Sequence, residues 1–238
     1  MVEEEKLSEL QLSIEKLQEE LAKVRNEAER AQAAIDIQRC LGKYMIHHIK
    51  SNSDDYICER TSWKFFANRP DSSVEIADKG VYVGIDHIRD FYEKVLSRSK
   101  EDIGCMFEHD LCSPMIAVAK DCQTARGVWF SPGHETGRFY GADTPQATWT
   151  WGKLNVDFIK EDGEWKIWHY HWYRTFRVPY HESWTEARPK PGKPLPNDVP
   201  GPDIACEYHN PYDIDKQMLP IPPCPEPYDT WSDDRTRV

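Results

Sequence analysis

The sequence predicts an α+β fold, and three observations carry that prediction. A helical period dominates the first part of the chain. From about residue 106 it gives way to runs of alternating apolar and polar residues. Turn chemistry at Asp121 and at Asp162-Gly163 joins those runs as neighbouring antiparallel strands. Helices first and antiparallel strands afterwards is the α+β arrangement, with helices gathered on one side of a sheet.

The elements follow in order. Leu7, Leu10, Ile14, Leu17, Leu21, Val24, Ala28, Ala31 and Ile35 step by three and four without a miss, a heptad seam flanked by Glu, Lys, Gln and Arg. This reads as a coiled-coil helix over 1–34 that joins subunits, or as an amphipathic helix folded back on its own domain. Ile37, Leu41, Tyr44, Met45 and His48 continue the helical period until Ser51-Asn52-Ser53-Asp54 stops it. Ser53 or Asp54 is placed to cap a second helix through Tyr56, Trp63, Phe65 and Phe66. Short strands are expected at Val74 to Ala77 and Val81 to Val83, then a third helix from Gly84 to Ser97. Further strands are expected at Met106 to Leu111, Met115 to Ala119, Thr124 to Phe130, Ala147 to Ile159 and Trp165 to Val178. The globular domain is therefore placed at 35–184. Beyond it, twelve of the 17 prolines fall between Pro189 and Pro227. Such a stretch is extended or disordered by composition. Tyr208, Tyr212, Tyr228 and Trp231 within it favour an ordered arm over 185–238, because exposed aromatic rings are costly.

Composition bounds the partners. The net charge of −11 argues against nucleic acid. No run is long and apolar enough to span a membrane, and the acidic start lacks an apolar signal core. The seven cysteines are odd in number and contain no C-x-x-C pair, which fits reduced thiols and a cytoplasmic setting. Neither a P-loop nor a dinucleotide fingerprint is present.

The densest chemical signal is Trp165 to Arg174. In a regular strand, Trp165, Ile167, His169, His171 and Tyr173 share one face, and Lys166, Trp168, Tyr170, Trp172 and Arg174 share the other. Histidines held on a rigid strand beside apolar residues suit acid–base chemistry on a small molecule. A β-bulge would shift that face assignment.

Three N-terminal helices followed by a curved sheet that ends in Asp162-Gly163-Glu164-Trp165-Lys166-Ile167 resemble the SnoaL-like group of the NTF2-like superfamily. The matching pieces are the Tyr44 helix, the Gly84-Ile85-Asp86-His87-Ile88 helix start, the His109 strand and the Asp162 to His171 hairpin. The resemblance implies a cone of three helices packed on a curved, mostly antiparallel sheet. The chain is similar to scytalone dehydratase, to bile acid dehydratases and to lyases that release formaldehyde from diaryl compounds. It departs from the dehydratase pattern after Tyr44, where an aspartate often follows and Met45-Ile46-His47-His48 stands instead; Asp54 or Asp55 could substitute if the chain turns back.

The resemblance implies a cofactor-independent lyase acting on a small aromatic or polycyclic alcohol, by loss of water or by carbon–carbon cleavage releasing formaldehyde. His109 is the candidate base, His134 or His169 the acid, and Tyr44 the oxyanion donor. His171, Trp129, Trp151, Tyr173 and Arg174 are candidate substrate contacts, with Arg177 a further anion stabiliser. Of the neighbours His47 and His48, at most one can reach a pocket. Trp129, Phe130, Tyr140, Trp149, Trp151, Trp168, Tyr170 and Trp172 supply an aromatic density that suits a flat ligand, although most would serve as core. No resident metal or cofactor is expected in this reading. Two others stay open: a metal held by His169-x-His171 with His109 or His134, and a non-catalytic binding or scaffold protein working through its coiled coil. A homo-oligomer, dimer or trimer, is expected.

Overall fold

The computed structural model describes residues 2–49, 58–96, 103–138, 142–186, 199–206 and 209–232. The proposed cap at Ser53 or Asp54, Asp55, Tyr56, the helix end at Ser97, Tyr140 and Tyr208 lie outside them. One helix, α1 (Val2–Ile46), carries both the heptad seam and the Tyr44 segment without a break at residue 34. At 1.5 Å per residue it extends about 67 Å. A 3-10 helix (Glu59–Phe65) stands where the second helix was expected. The third begins as α2 (Ile85–Asp90) and widens into a π-helical turn over Phe91–Leu96.

Eight strands form one sheet: β1 (Ser73–Ile76), β2 (Val81–Val83), β3 (Met106–His109), β4 (Cys112–Val118), β5 (Thr124–Ser131), β6 (Gly133–Gly137), β7 (Gln146–Glu161) and β8 (Glu164–Pro179). Their order is β2-β1-β8-β7-β5-β4, with β3 paired to β6 and β6 to β7. All pairs are antiparallel except β1 with β8. The sequence reading missed β6. Pro132 and two glycines hide its alternation, yet it continues β5 along the same partner strand, β7. The resulting α+β architecture, few helices on a curved and mostly antiparallel sheet, is the one expected from the sequence.

The core lies between the concave face of the sheet and the helices. Ile37, Leu41 and Tyr44 from α1, Ile88, Phe91 and Tyr92 from the α2 segment, and Trp129, Leu154, Val156, Phe158, Ile167 and Tyr170 from the sheet are buried together. The helix uses a face for this that is not its heptad seam. Asn26, Arg30, Ala33, Ile37, Leu41 and Tyr44 turn to the body, and Asn26 and Arg30 donate to the backbone oxygens of Lys120 and Val118. The seam lies about 200° around the helix. Leu17 and Leu21 on it are each 64% exposed in the single chain.

Two bulges in β8 decide what faces inward. Asp157 pairs with His169 and Phe158 with Ile167, which leaves Trp168 as the extra residue. A second shift falls at Thr175, between the Gly152–Arg174 and Trp151–Phe176 pairs. Each extra residue reverses the alternation. Trp165 and Ile167 therefore point inward, then Tyr170, Trp172 and Arg174, then Arg177.

The candidate active site in the cone

A cavity of about 340 Å³ opens inside the cone, within the range of small-molecule sites. Its apolar wall comes from Met45, Leu96, Phe107, Tyr170 and Trp172, and its polar groups from His48, Glu59, His109, Ser131 and Glu135. His109 ends β3 opposite Gly133 of β6, so its ring lies flat over a residue without a side chain. A β-carbon at Gly133 would collide with that ring and with the Thr150 carbonyl. Gly152 plays the same part for the Trp172 indole.

Two histidine–glutamate pairs occupy the cavity. His109 Nε2 lies 3.0 Å from Glu135 Oε1, with both side chains almost fully enclosed. Arg177 closes on the other carboxylate oxygen at 2.5 Å, and its Nε donates to Thr150 Oγ1 at 3.3 Å. Burial alone would raise the Glu135 pKa. The Arg177 guanidinium and His109 outweigh it and bring the group down to about 2. Glu135 is thus a carboxylate at working pH and accepts the His109 Nε2–H. That leaves the imidazole lone pair on Nδ1, which is enclosed and has no hydrogen-bond partner among the described residues. The second pair is His48 Nε2 with Glu59 Oε1 at 3.6 Å, also buried. The His48 and His109 rings stand edge to face with centroids 5.7 Å apart. Beside them, Tyr44 shares a 2.8 Å hydrogen bond with Tyr92 and is also bonded to Tyr170. Burial pushes all three phenols well above their ordinary range, so each stays neutral and able to donate.

Of the residues singled out from sequence, Tyr44, His48, His109, Tyr170, Trp172, Arg174 and Arg177 line this cavity. The other described ones do not reach it. His134 alternates with Glu135 and points to the outer face of β6, against Trp149. The first β8 bulge turns His169 and His171 outward, which corrects the expectation that their face forms the pocket wall. There His169 meets Asp157 at 3.0 Å and His171 meets Glu75 at 3.3 Å. Tyr173 follows them and stacks on His171. Trp151 is exposed and stacks on Phe176, and Trp129 is core, packed against Phe158. The three-imidazole metal set does not assemble, because His109 and the His169/His171 pair lie on opposite faces of the sheet. Among the described residues no group of three or more His, Cys, Asp or Glu is placed to hold a metal.

Glu59, Glu135 and Ser131 were missed. For Glu135 the signal was present in Gly133-His134-Glu135: alternation puts His134 and Glu135 on opposite faces, and the residue beside the histidine is the one that points inward. His48 was available as one of an adjacent pair, with nothing in the sequence to choose between them.

Residues 64–171 match the SnoaL-like domain family. No curated protein gives a significant match to the chain. Among solved structures, a hexachlorocyclohexane dehydrochlorinase (LinA, type 2) is 15% identical with a TM-score of 0.52, covering 68% of this chain and 97% of that one. A proposed scytalone dehydratase from Novosphingobium aromaticivorans DSM 12444 is 18% identical with a TM-score of 0.48, covering 66% and 93%. An NTF2-like superfamily protein from Salmonella enterica serovar Typhimurium LT2 is 18% identical with a TM-score of 0.48, covering 65% and 99%. At such identities the likeness is one of fold.

Proposed function

Starting from a SnoaL-like domain in an NTF2-like fold, we propose that this protein is a lyase that eliminates a small group from an aromatic or polycyclic alcohol by acid–base chemistry. The observation that carries the reading is the pair of buried histidines, each backed by a buried glutamate, facing one another in a single cavity. Elimination needs one base and one acid at short range, held dry and in fixed geometry. His109 is the base. Glu135 holds the Nε2–H and stabilises the imidazolium that forms. As the C–H bond breaks, its electron pair becomes the new double bond, and the leaving hydroxyl takes a proton from His48 to depart as water. In the carbon–carbon variant the base removes the proton of a hydroxymethyl group, formaldehyde leaves as its C–C bond breaks, and that electron pair forms the new double bond while the departing oxygen on the next carbon takes a proton from His48. Tyr44, through the phenol cluster with Tyr170 and Tyr92, offers a neutral donor to developing negative charge. His48 takes the acid role that the sequence reading gave to His134 or His169. The neighbour of similar fold named as a dehydrochlorinase acts in the same reaction class.

The chemistry is carried by side chains of this chain and needs no resident cofactor in this proposal. Among the described residues no helix is long and apolar enough to cross a membrane. The odd number of cysteines and the lack of a C-x-x-C pair support a cytoplasmic setting. The exposed heptad seam supports a homo-oligomer formed through α1.

The test is a panel of polycyclic and diaryl alcohols, followed by absorbance of the new conjugated double bond and by formaldehyde release. His109→Ala and His48→Ala are each expected to lower kcat by about 10²–10⁴-fold. Turnover at the wild-type rate in both variants would falsify the assignment.

A further inference from the structure

The first half of α1 projects from the body. Every residue from 3 to 25 is exposed in the single chain, and among the described residues the hydrogen bonds that tie the helix to the sheet begin at Asn26. Yet Leu7, Leu10, Ile14, Leu17, Leu21 and Val24 form one stripe there, each between 46% and 64% exposed. A lone helix of this length is only marginally stable in water. The stripe fills heptad positions a (Leu7, Ile14, Leu21) and d (Leu10, Leu17, Val24), and beyond it the seam shrinks to Ala28 and Ala31. The large side chains are thus confined to the projecting stretch, and their spacing can be matched from either end. Setting Leu7 against Val24, Leu10 against Leu21 and Ile14 against Leu17 puts a large residue opposite a large one in all six layers.

The flanking charges choose the direction. Positions g hold Lys6, Ser13, Glu20 and Glu27, and positions e hold Gln11, Gln18, Arg25 and Gln32. Antiparallel helices bring g to g and e to e. In the register above, Lys6 meets Glu27 of the second copy, twice by symmetry, and Ser13 meets Glu20. The acidic start Glu3-Glu4-Glu5 then lies beside Arg25 of the second copy. Glu27 also lies 4.0 Å from Lys23 on its own helix, an exposed pair that exchanges partners readily. A parallel pair in register matches Glu20 with Arg25 but sets Glu3-Glu4-Glu5 against its own copy, with Glu3 at a d position. An antiparallel pair slipped by one heptad sets Glu20 against Glu20 and spends Leu7 on Ala31. The seam faces away from the body, so a second helix runs behind α1 without meeting the cone.

We infer that two copies join through an antiparallel pair of α1 helices, Leu7 of one against Val24 of the other, with the two cones at opposite ends. This rests on the seam being a contact between copies, as proposed above, and adds its direction and register. The same patch serves both copies, so the assembly closes as a dimer.

Disulfide trapping on the full-length protein tests it. Leu7→Cys and Val24→Cys should each cross-link no more than wild type, whose seven cysteines set the background. Mixing the two variants under reducing conditions and then oxidising should give a linked dimer whose peptide map joins positions 7 and 24. Lys6→Glu should weaken the dimer roughly tenfold, and Lys6→Glu/Glu27→Lys should restore it. In a parallel pair these positions face Gln11 and Gln32, and no such rescue follows. A link between two copies of position 7, a trimeric mass by light scattering, or failure of the charge swap to restore the dimer overturns the antiparallel register while leaving the seam as an interface. A wild-type protein that is monomeric at micromolar concentration overturns both.

Discussion

Glu135 is where stability and chemistry meet. Its carboxylate is enclosed, ion-paired to Arg177 and bonded to His109, and held near a pKa of about 2 against an ordinary value of 4.5. A folded-state pKa below the unfolded one means that the unfolded chain binds the proton more readily. The resulting stabilisation is complete above about 4.5 and is lost as pH falls from there toward about 2. Glu135→Gln removes that titration but leaves Arg177 half-buried without its counter-charge. The variant is expected to be less stable by about 3 kcal/mol at neutral pH. Its urea midpoint should also change less steeply than wild type between pH 4.5 and 2. An identical slope in both proteins would remove Glu135 as the source of acid sensitivity. Gly133→Ala probes the same site from behind: the new β-carbon displaces the His109 ring, and activity should fall although no reacting group has changed. Part of this was legible in the sequence. His109 stands out through the family resemblance, but its partner does not, because a carboxylate beside a histidine looks like an ordinary exposed strand residue until the inward face of β6 is known.

At the scale of elements, α1 and β8 show what pattern can and cannot fix. Helical period and alternation placed α1 and seven of the eight strands close to their observed positions, since both periods follow directly from burial on one face. The facing of β8 was not available in that way. Two extra residues, at Trp168 and Thr175, reverse its phase twice, and nothing local marks either position. His169 and His171 therefore end on the outer face and Tyr170 and Trp172 on the inner one, the reverse of a regular strand anchored at Trp165. The helix carries the opposite lesson, with two apolar stripes on opposite faces. The stripe through Ile37, Leu41 and Tyr44 is satisfied by its own domain, and the heptad seam from Leu7 to Val24 is not. The flanking Glu and Lys residues and the unbroken three–four spacing fit a second copy of the same helix. Ile14→Lys together with Leu17→Lys should halve or further reduce the mass seen by light scattering, while thermal stability of the cone changes little because neither residue touches it. A wild-type protein that is already monomeric at micromolar concentration would rule this role out.

For the molecule as a whole, the outer face of the sheet raises a packing question that the cone does not answer. Open antiparallel sheets commonly leave one face to water, but here that face presents Trp168, His169 and Arg126. The described parts of the C-terminal segment lie across it. Val81 and Ile204 exchange backbone hydrogen bonds beside β2, and Asp203 accepts from the Val83 amide and pairs with His87 at 2.7 Å. Farther along, Lys120 and Asp121 donate to the Tyr228 and Asp229 carbonyls, Arg126 lies between the Tyr228 and Trp231 rings, and Trp231 packs on Trp168 with centroids 4.6 Å apart. The arm thus fastens both edges of the sheet, at β2 and at the β4–β5 turn, and holds the aromatic side chains between them out of water. In these described parts proline lowers the entropy of the unfolded chain, and each aromatic anchor adds buried apolar area. Ending the chain at residue 198 should expose that area and cost on the order of 3 kcal/mol, with Tm falling by roughly 10 °C at about 2–4 °C per kcal/mol. Binding of an apolar dye should rise, because an uncovered aromatic sheet face is an adhesive patch. Trp231→Ala should give a smaller shift in the same direction. Because the cavity opens on the other side of the sheet, the shortened chain should keep its preference among aromatic ligands at low temperature. A melting temperature equal to that of the full chain would mean that these contacts do not stabilise the fold.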